Sequence, residues 1–323
     1  MPNTRTARQQ LRLTAFAEAW PRSSIIALFS KNPPGIVCPR FWELKWANGC
    51  PWNCTYCYLQ GTFFGNKRPR HKHWNCIATE LNSFLTWADE KGEPVLLNAG
   101  ELTDSCAIPA WTRTFLSICI KALRAHPIHK VLLVTKGGEE HIKPLLEISV
   151  EDRKFFVVSF SVNAAPVALE FERGPPDPFN RIRAAKICQE NGYEVRIRID
   201  PIIPVKGWKE AYQEIVEYMF VTMDLKPSRV TLGTLRGLAK TIRFSKERSW
   251  VKFLKGGEKT GWGLKMPKER RLEVYGLILD MIRNYYSGDI ALCKETPDIW
   301  RELGLPDPGE WPYFRGCKCN CVV

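Results

Sequence analysis

Residues 48–58 read Asn48-Gly49-Cys50-Pro51-Trp52-Asn53-Cys54-Thr55-Tyr56-Cys57-Tyr58, and this stretch decides how the rest of the chain is read. Its three thiols stand in a C-x3-C-x2-C pattern directly after an apolar run, Phe41 to Ala47, with the composition of a strand. Four-iron cubanes are held by cysteine thiolates, normally one per iron, so three local ligands leave one iron open. The alternative is a structural zinc site, which needs a fourth Cys or His in closed tetrahedral geometry. His71 and His73 are near enough in sequence to be considered. Zinc knuckles usually come as paired C-x2-C units, whereas this triplet stands alone at a strand end, so a [4Fe–4S] cluster is the expected occupant. An open iron can chelate the amino and carboxylate groups of S-adenosylmethionine (SAM), and an electron passed through the cluster then yields a 5′-deoxyadenosyl radical. In such chemistry the cofactor reacts while the protein positions and shields it.

Outward from the triplet, short apolar runs alternate with longer amphipathic stretches, the pattern of repeated βα units and a parallel sheet. Strands are expected at 41–47, 95–99, 131–135, 155–162, 195–199 and 229–233. Helices are expected at 76–90, 109–125, 140–146, 179–191 and 210–223, where apolar residues recur every three or four positions. The fold class is therefore α/β, a full or partial barrel of six βα units. In such barrels the chemistry sits in the loops after the strands. Asn48 to Gly65, Gly100 to Cys106, Lys136 to Gly138 and Asp200 to Pro204 hold those places.

The chain divides into an N-terminal extension (1–40), the βα core (41–235), a basic aromatic insertion or hairpin (236–271) and a last part (272–323). That last part is expected to carry a helix at 272–284, a strand at 290–293 and a Cys-rich tail. There is no internal repeat and no low-complexity tract. A chain of 323 residues can bury a substantial core. No apolar stretch approaches the roughly 20 residues that cross a bilayer, and the first residues lack the apolar region of a signal peptide. A cytoplasmic location is expected, and there twelve cysteines read as metal ligands before disulfides. The formal charge of +13 favours a polyanionic partner, because summed positive potential attracts phosphates over long range.

The chain resembles the radical SAM superfamily and, more closely, the spore photoproduct lyase family. The likeness is carried by Tyr56-Cys57-Tyr58-Leu59-Gln60, Val134-Thr135-Lys136, Phe160-Ser161-Val162-Asn163 and Phe171-Glu172-x-Gly174. It continues through Arg181-Ile182-x-Ala184-Ala185, Gly192-Tyr193, Pro201-Ile202 and Gly207-Trp208, so that it spans about Asn48 to Tyr212. The resemblance implies a partial (β/α)6 TIM-like barrel of the radical SAM type, SAM as cosubstrate and hydrogen abstraction from a bound substrate. By position it implies that Tyr56 lies against the adenine and that Lys136 and Ser161 contact SAM. Ala99-Gly100-Glu101 resembles the segment that binds the SAM ammonium. A glycine permits close backbone approach, and a carboxylate suits a cation in a partly desolvated pocket.

One departure matters. Spore photoproduct lyases carry a hydrogen-donor cysteine in that segment, and here Glu101 or Leu102 stands before Thr103-Asp104. Cys106 is nearby but shifted, either a replacement donor or the first turn of a helix. Thymine-dimer repair as such is therefore not the expected reaction, and a different reaction on the same scaffold is. Asp200, ending the fifth strand, is expected to bind substrate or ribose, or else to pair with Arg198. With Tyr58, Cys106 and Asp200 complete the catalytic candidates.

Cys317, Cys319 and Cys321 close the chain, and with Cys293 they make a candidate second site. Four thiolates suit an auxiliary iron–sulfur cluster or zinc. The competing readings are a redox-active tail and a tail thiol that reaches the active site. Between Arg236 and Arg271, twelve cations interleave with Trp250, Phe253 and Trp262. Cations can track a nucleic-acid backbone while aromatics stack on unpaired bases. Arg243, Lys246, Arg248, Trp250, Lys252 and Lys255 are the candidates, with a solvated amphipathic segment as the alternative. The expected substrate is thus a base of a nucleic acid, DNA in the first place, or a substituent of that base. Repair or pyrimidine hypermodification is the expected outcome, with an electron donor such as flavodoxin or ferredoxin. A radical SAM enzyme of peptides or metabolites, and a non-catalytic metal-stabilised nucleic-acid-binding protein, are the other classes.

Overall fold

The computed structural model describes Trp20 and residues 25–323. The rest of the extension expected over 1–40, namely 1–19 and 21–24, lies outside the described residues. Eight strands form one sheet: β1 (Ile26–Phe29), β2 (Phe41–Leu44), β3 (Leu96–Asn98), β4 (Lys130–Thr135), β5 (Phe156–Val162), β6 (Glu194–Ile202), β7 (Arg229–Thr234) and β8 (Asp289–Leu292). Their spatial order is their order in the sequence. β1 pairs antiparallel with β2, and every later neighbour pair is parallel. Parallel neighbours need a crossover connection. Five long helices supply most of these: α1 (Trp74–Lys91), α2 (Pro109–Ala125), α3 (Pro178–Glu190), α4 (Trp208–Glu217) and α5 (Lys268–Arg283). The result is an α/β fold with a mostly parallel central sheet.

The central strands are apolar almost throughout because both faces are covered, and every residue of β5 is buried. In α1, Ile77, Leu81, Phe84, Leu85 and Ala88 form the buried stripe, and the helix closes at Gly92 with φ +71°, the left-handed stop that suits glycine. α3 starts at Asp177, whose carboxylate accepts from the Asn180 N–H at 2.9 Å, with Pro178 following. Such a cap contributes about 1 kcal/mol.

Several elements differ from the expectation. The strand expected at 41–47 stops at Leu44, and Ala47–Asn48 pairs instead with Arg70–His71 in a separate ribbon. Between them Trp46 is buried, stacked on Phe115 at 4.3 Å, with its indole N–H on the Ala99 carbonyl at 3.0 Å. The helix expected at 140–146 is a 3-10 turn, Glu139–Ile142, followed by Lys143–Leu146; Pro144 has no N–H with which to continue a helix from residue 140. β1 and the helices Leu59–Thr62, Ala165–Phe171, Ala239–Phe244 and Pro297–Glu302 are additional.

In the 236–271 segment, Arg236–Gly237, Glu258–Thr260 and Gly263–Lys265 form a small antiparallel sheet with Gly263–Lys265 in the middle. Helix Ala239–Phe244 packs on Leu59–Thr62 so closely that a Cβ at Gly61 would lie 2.5 Å from the Thr241 nitrogen. An isolated bridge, Val37 to Glu295, brings the approach to β2 against the exit from β8. Among the described residues no helix is long and apolar enough to cross a membrane.

Candidate active site

The triplet loop is pinned by three backbone bonds to two distant segments. The Cys50 N–H donates to Lys67 O at 2.9 Å, Asn53 N–H to Arg173 O at 2.7 Å and Thr55 N–H to Phe171 O at 2.8 Å. The Gln60 amide donates to Cys54 O and Thr55 O at 3.0 and 2.8 Å, and the buried Lys67 ammonium donates to Trp52 O. Gly49 makes the turn at φ +82°, where a Cβ would lie 2.5 Å from the carbonyl oxygens of Lys67 and Arg68. Local sequence therefore sets the spacing of the thiols, and distant carbonyls set their direction.

Cys50, Cys54 and Cys57 all open on a cavity of about 410 Å³. Its wall is made at the carboxyl ends of the strands: Gly100–Asp104 after β3, Lys136 after β4, Ser161 in β5, Asp200 in β6, Arg236 after β7, and Cys293 and Lys294 after β8. Burial raises all three thiols, Cys50 to about 12, so holding a metal would mean displacing protons. His71 and His73 do not line the cavity; His71 stacks on Trp74 at 4.2 Å. Three thiols without a nearby histidine fit a cluster with one open corner better than a closed zinc site.

The residues expected to contact the cofactor meet at Glu172, a carboxylate that is not among the sequence candidates. Lys136 Nζ lies 2.8 Å from Glu172 Oε1 and 3.2 Å from Ser161 Oγ. Arg181 Nη2 lies 2.6 Å from Glu172 Oε2, and the Tyr56 hydroxyl donates to Oε1. Burial pushes the Glu172 carboxyl up, but the Lys136 and Arg181 charges outweigh it and hold the group well below the usual carboxylate range. Tyr56, Lys136 and Ser161 thus form one network. Its centre lies inside the family-like stretch Phe171-Glu172-x-Gly174, and that likeness is the one sequence signal that points to it.

Gly100 is required by packing, since a Cβ there would lie 2.4 Å from Val134 Cβ. Glu101 accepts from Asn98 Nδ2 at 3.2 Å, and its backbone carbonyl accepts from the Tyr58 hydroxyl. Asp104 accepts from Thr135 Oγ1, Lys136 N and Cys106 N at 2.8, 2.7 and 3.0 Å; burial nevertheless raises its carboxyl to about 6.

Asp200 and Cys106 stand differently from their expected catalytic places. Asp200 accepts from Arg198 at 2.7 Å and from Arg236 at 2.7 and 2.9 Å. Burial raises its carboxyl, yet the two guanidiniums hold it well below the usual range. It is a clamped ion, paired with Arg198 as in the alternative expectation and joined by Arg236. Cys106 is fully buried in the core and is not part of the cavity wall. Its place at the start of the α2 connection turns the side chain into packing, so it does not stand as a hydrogen donor.

Among the nucleic-acid candidates, Trp250 is corrected: it is 0% exposed, with its indole N–H on Glu247 O, and stacks on nothing outside the protein. Arg243, Lys246, Arg248, Lys252 and Lys255 are exposed. Arg248 bonds to Ser245 O and Arg243 O, and Lys252 pairs with Glu170 at 3.3 Å. The aromatic exposed beside them is Phe64, 62% accessible at φ +51°. Lys240 lies over its ring at 5.3 Å and Phe244 meets it edge-on at 5.3 Å. Phe64 lies outside 236–271, so no charge pattern in the sequence marks it. Of the candidate second site, Cys293, Cys319 and Cys321 line a small void together with Cys38, while Cys317 is buried next to Cys319.

A family model described as spore photoproduct lyase matches residues 41–236. The spore photoproduct lyase of Bacillus subtilis (strain 168) is 28% identical over 177 residues, 54% of this chain and 50% of that protein. That of Geobacillus sp. (strain Y412MC61) is 27% identical over 172 residues, 53% and 48%. The chain thus spans about half the length of these relatives. A solved spore photoproduct lyase complexed with dinucleoside spore photoproduct has a TM-score of 0.65 at 21% identity, covering 78% of this chain and 76% of that one. A variant structure with bound AdoMet and the same dinucleoside has a TM-score of 0.64 at 21% identity, covering 77% and 75%. At that identity the likeness is one of fold.

Proposed function

The chain belongs to the spore photoproduct lyase family, and from that premise we propose that it is a radical SAM enzyme acting on a nucleic-acid base or its substituent. The observation that carries this reading is one cavity onto which the three triplet thiols, Glu101 and the Lys136–Ser161 pair all open. In this reading Cys50, Cys54 and Cys57 hold a [4Fe–4S] cluster through thiolates. When bound, the cluster supplies the electron that splits SAM to a carbon radical, fed by a carrier such as flavodoxin or ferredoxin. Glu101 offers a carboxylate to the SAM ammonium, held in place by Asn98 and, through its backbone carbonyl, by Tyr58. Lys136 and Ser161, braced by Glu172, present a positive and a hydroxyl group on the same wall. The Arg198–Asp200–Arg236 triad keeps another part of that wall rigid.

We read the row of parallel strands as a partial (β/α)6 barrel and the 236–271 segment as its substrate-facing insertion. Exposed Lys240, Arg243 and Lys246 suit phosphates, and Phe64 and Phe244 offer a stacking platform. Thr62, two residues before Phe64, and Leu238, at the start of the helix that carries Phe244, line the cavity, so a strand held there lies at its rim. The dinucleoside spore photoproduct bound in the solved lyase of similar fold supports a base as substrate. The buried position of Cys106 and the absence of cysteine from 99–105 favour a base transformation other than thymine-dimer repair.

The test is anaerobic reconstitution with iron and sulfide, dithionite reduction with SAM, and measurement of 5′-deoxyadenosine. Wild-type protein should form it, and the Cys50→Ala/Cys54→Ala/Cys57→Ala variant should not. No deoxyadenosine from fully loaded wild type would overturn the assignment.

A further inference from the structure

Five cysteines from three distant parts of the chain meet beside the cavity. Cys38 precedes β2, Cys293 follows β8, and Cys317, Cys319 and Cys321 close the chain. Cys38, Cys293, Cys319 and Cys321 line one void of about 30 Å³, roughly the room that one water or one ion occupies. The tail is tied to the sheet by arginines: Arg196 Nη1 donates to Asn320 O and Val322 O at 2.7 Å each, and Arg229 Nη1 donates to Cys319 O at 3.2 Å and Val322 O at 2.8 Å.

Two further features of this nest suit a bound metal. Cations crowd the thiols: Arg198 Nη2 lies 3.7 Å from Cys293 Sγ, and Lys294 stands beside Cys38 and Cys293. Fixed cations at these distances offset the negative charge that four thiolates around one metal would carry. Asn320, between two of the thiols, is 1% exposed, and neither its amide oxygen nor its nitrogen has a partner. Buried amides are rarely left so, and amide N–H groups beside metal-bound sulfur commonly donate to it. Among the described residues no three His, Cys, Asp or Glu side chains are drawn round one point, so the thiols line the void as the triplet thiols line the cavity. Closing on a metal takes rotation of these cysteine side chains.

We propose that Cys38, Cys293, Cys319 and Cys321 form a second, thiolate-ligated centre for a single thiophilic metal ion, zinc, which matches the one-ion void. Glu101, Arg198, Cys293 and Lys294 belong to both walls, so the charge on this centre is felt in the first cavity. Cys317 does not line the void and is not a ligand.

The inference stands apart from SAM cleavage and is tested without it. The Cys50→Ala/Cys54→Ala/Cys57→Ala protein is purified anaerobically, then loaded in separate arms with zinc or with iron and sulfide. Metal and sulfide per chain are measured with X-ray absorption at the metal edge. Expected is about one zinc per chain with sulfur ligands, whereas about four iron with sulfide and no zinc would overturn the assignment to a single ion. Adding Cys319→Ala and Cys321→Ala should lower the content at least tenfold, whereas adding Cys317→Ala instead should leave it, a control for the fold of the tail. Metal-free protein in both arms, thiols recovered as disulfide in place of metal, or metal retained without Cys319 and Cys321 would each overturn the proposal.

Discussion

Glu172, buried behind the cavity wall, holds two cations, with Lys136 and Arg181 on its two oxygens. Removing one partner of a buried ion pair leaves an uncompensated charge, which costs about 3–5 kcal/mol. Glu172→Gln should therefore lower stability by about that amount at pH 7, read from denaturant unfolding. The folded carboxyl lies below its unfolded value of about 4.3, so the stability it contributes is present above that value and is lost as the pH falls. Wild type should lose stability between about pH 5 and 3 more steeply than the variant; parallel curves would contradict a depressed Glu172. Asp200 acts in the same direction. Asp104, raised by burial to about 6, acts in the opposite one: its contribution declines as pH rises from about 4 to 6. The triplet cysteines are legible as residues, because three thiols at that spacing have few other uses. Glu172 and Arg236 are not, because their roles depend on partners 36 residues away in each case.

At the scale of elements, the triplet loop depends on a glycine turn and on carbonyls borrowed from the segments at 67 and 171–173. Gly49→Ala meets two carbonyl oxygens at 2.5 Å in a left-handed conformation, a strain of at least about 1–3 kcal/mol. Reconstituted iron and sulfide per chain should fall several-fold in that variant, while the far-UV circular dichroism keeps the α/β signature. Full loading would show that the loop does not need this turn. The βα alternation is readable because buried parallel strands are apolar throughout and their helices are striped. The break after Leu44, the 3-10 turn before Pro144 and the strand Ile26–Phe29 are not, since short elements carry too few residues for periodicity to speak.

Over the whole molecule, the excess of 47 basic over 34 acidic residues has a local face in the exposed Lys240, Arg243 and Lys246 beside Phe64. Replacing these three cations with alanine should weaken DNA binding and reduce the slope of log affinity against log salt by about one for each phosphate that they neutralise. Phe64→Ala should instead cost about 1–3 kcal/mol on single strands with the slope unchanged. Fluorescence anisotropy over a salt series checks both, and a shallower slope with Phe64→Ala would remove the stacking role. Sequence alone determined the triplet, the α/β class and the family likeness, because each rests on residues close together in the chain or on runs whose burial sets their composition. The tertiary structure decided which groups share a cavity. Laying eight strands side by side in sequence order brings residues 38, 101, 198, 293 and 321 together, buries Trp250 and exposes Phe64, and no local pattern encodes a meeting of strand ends that far apart.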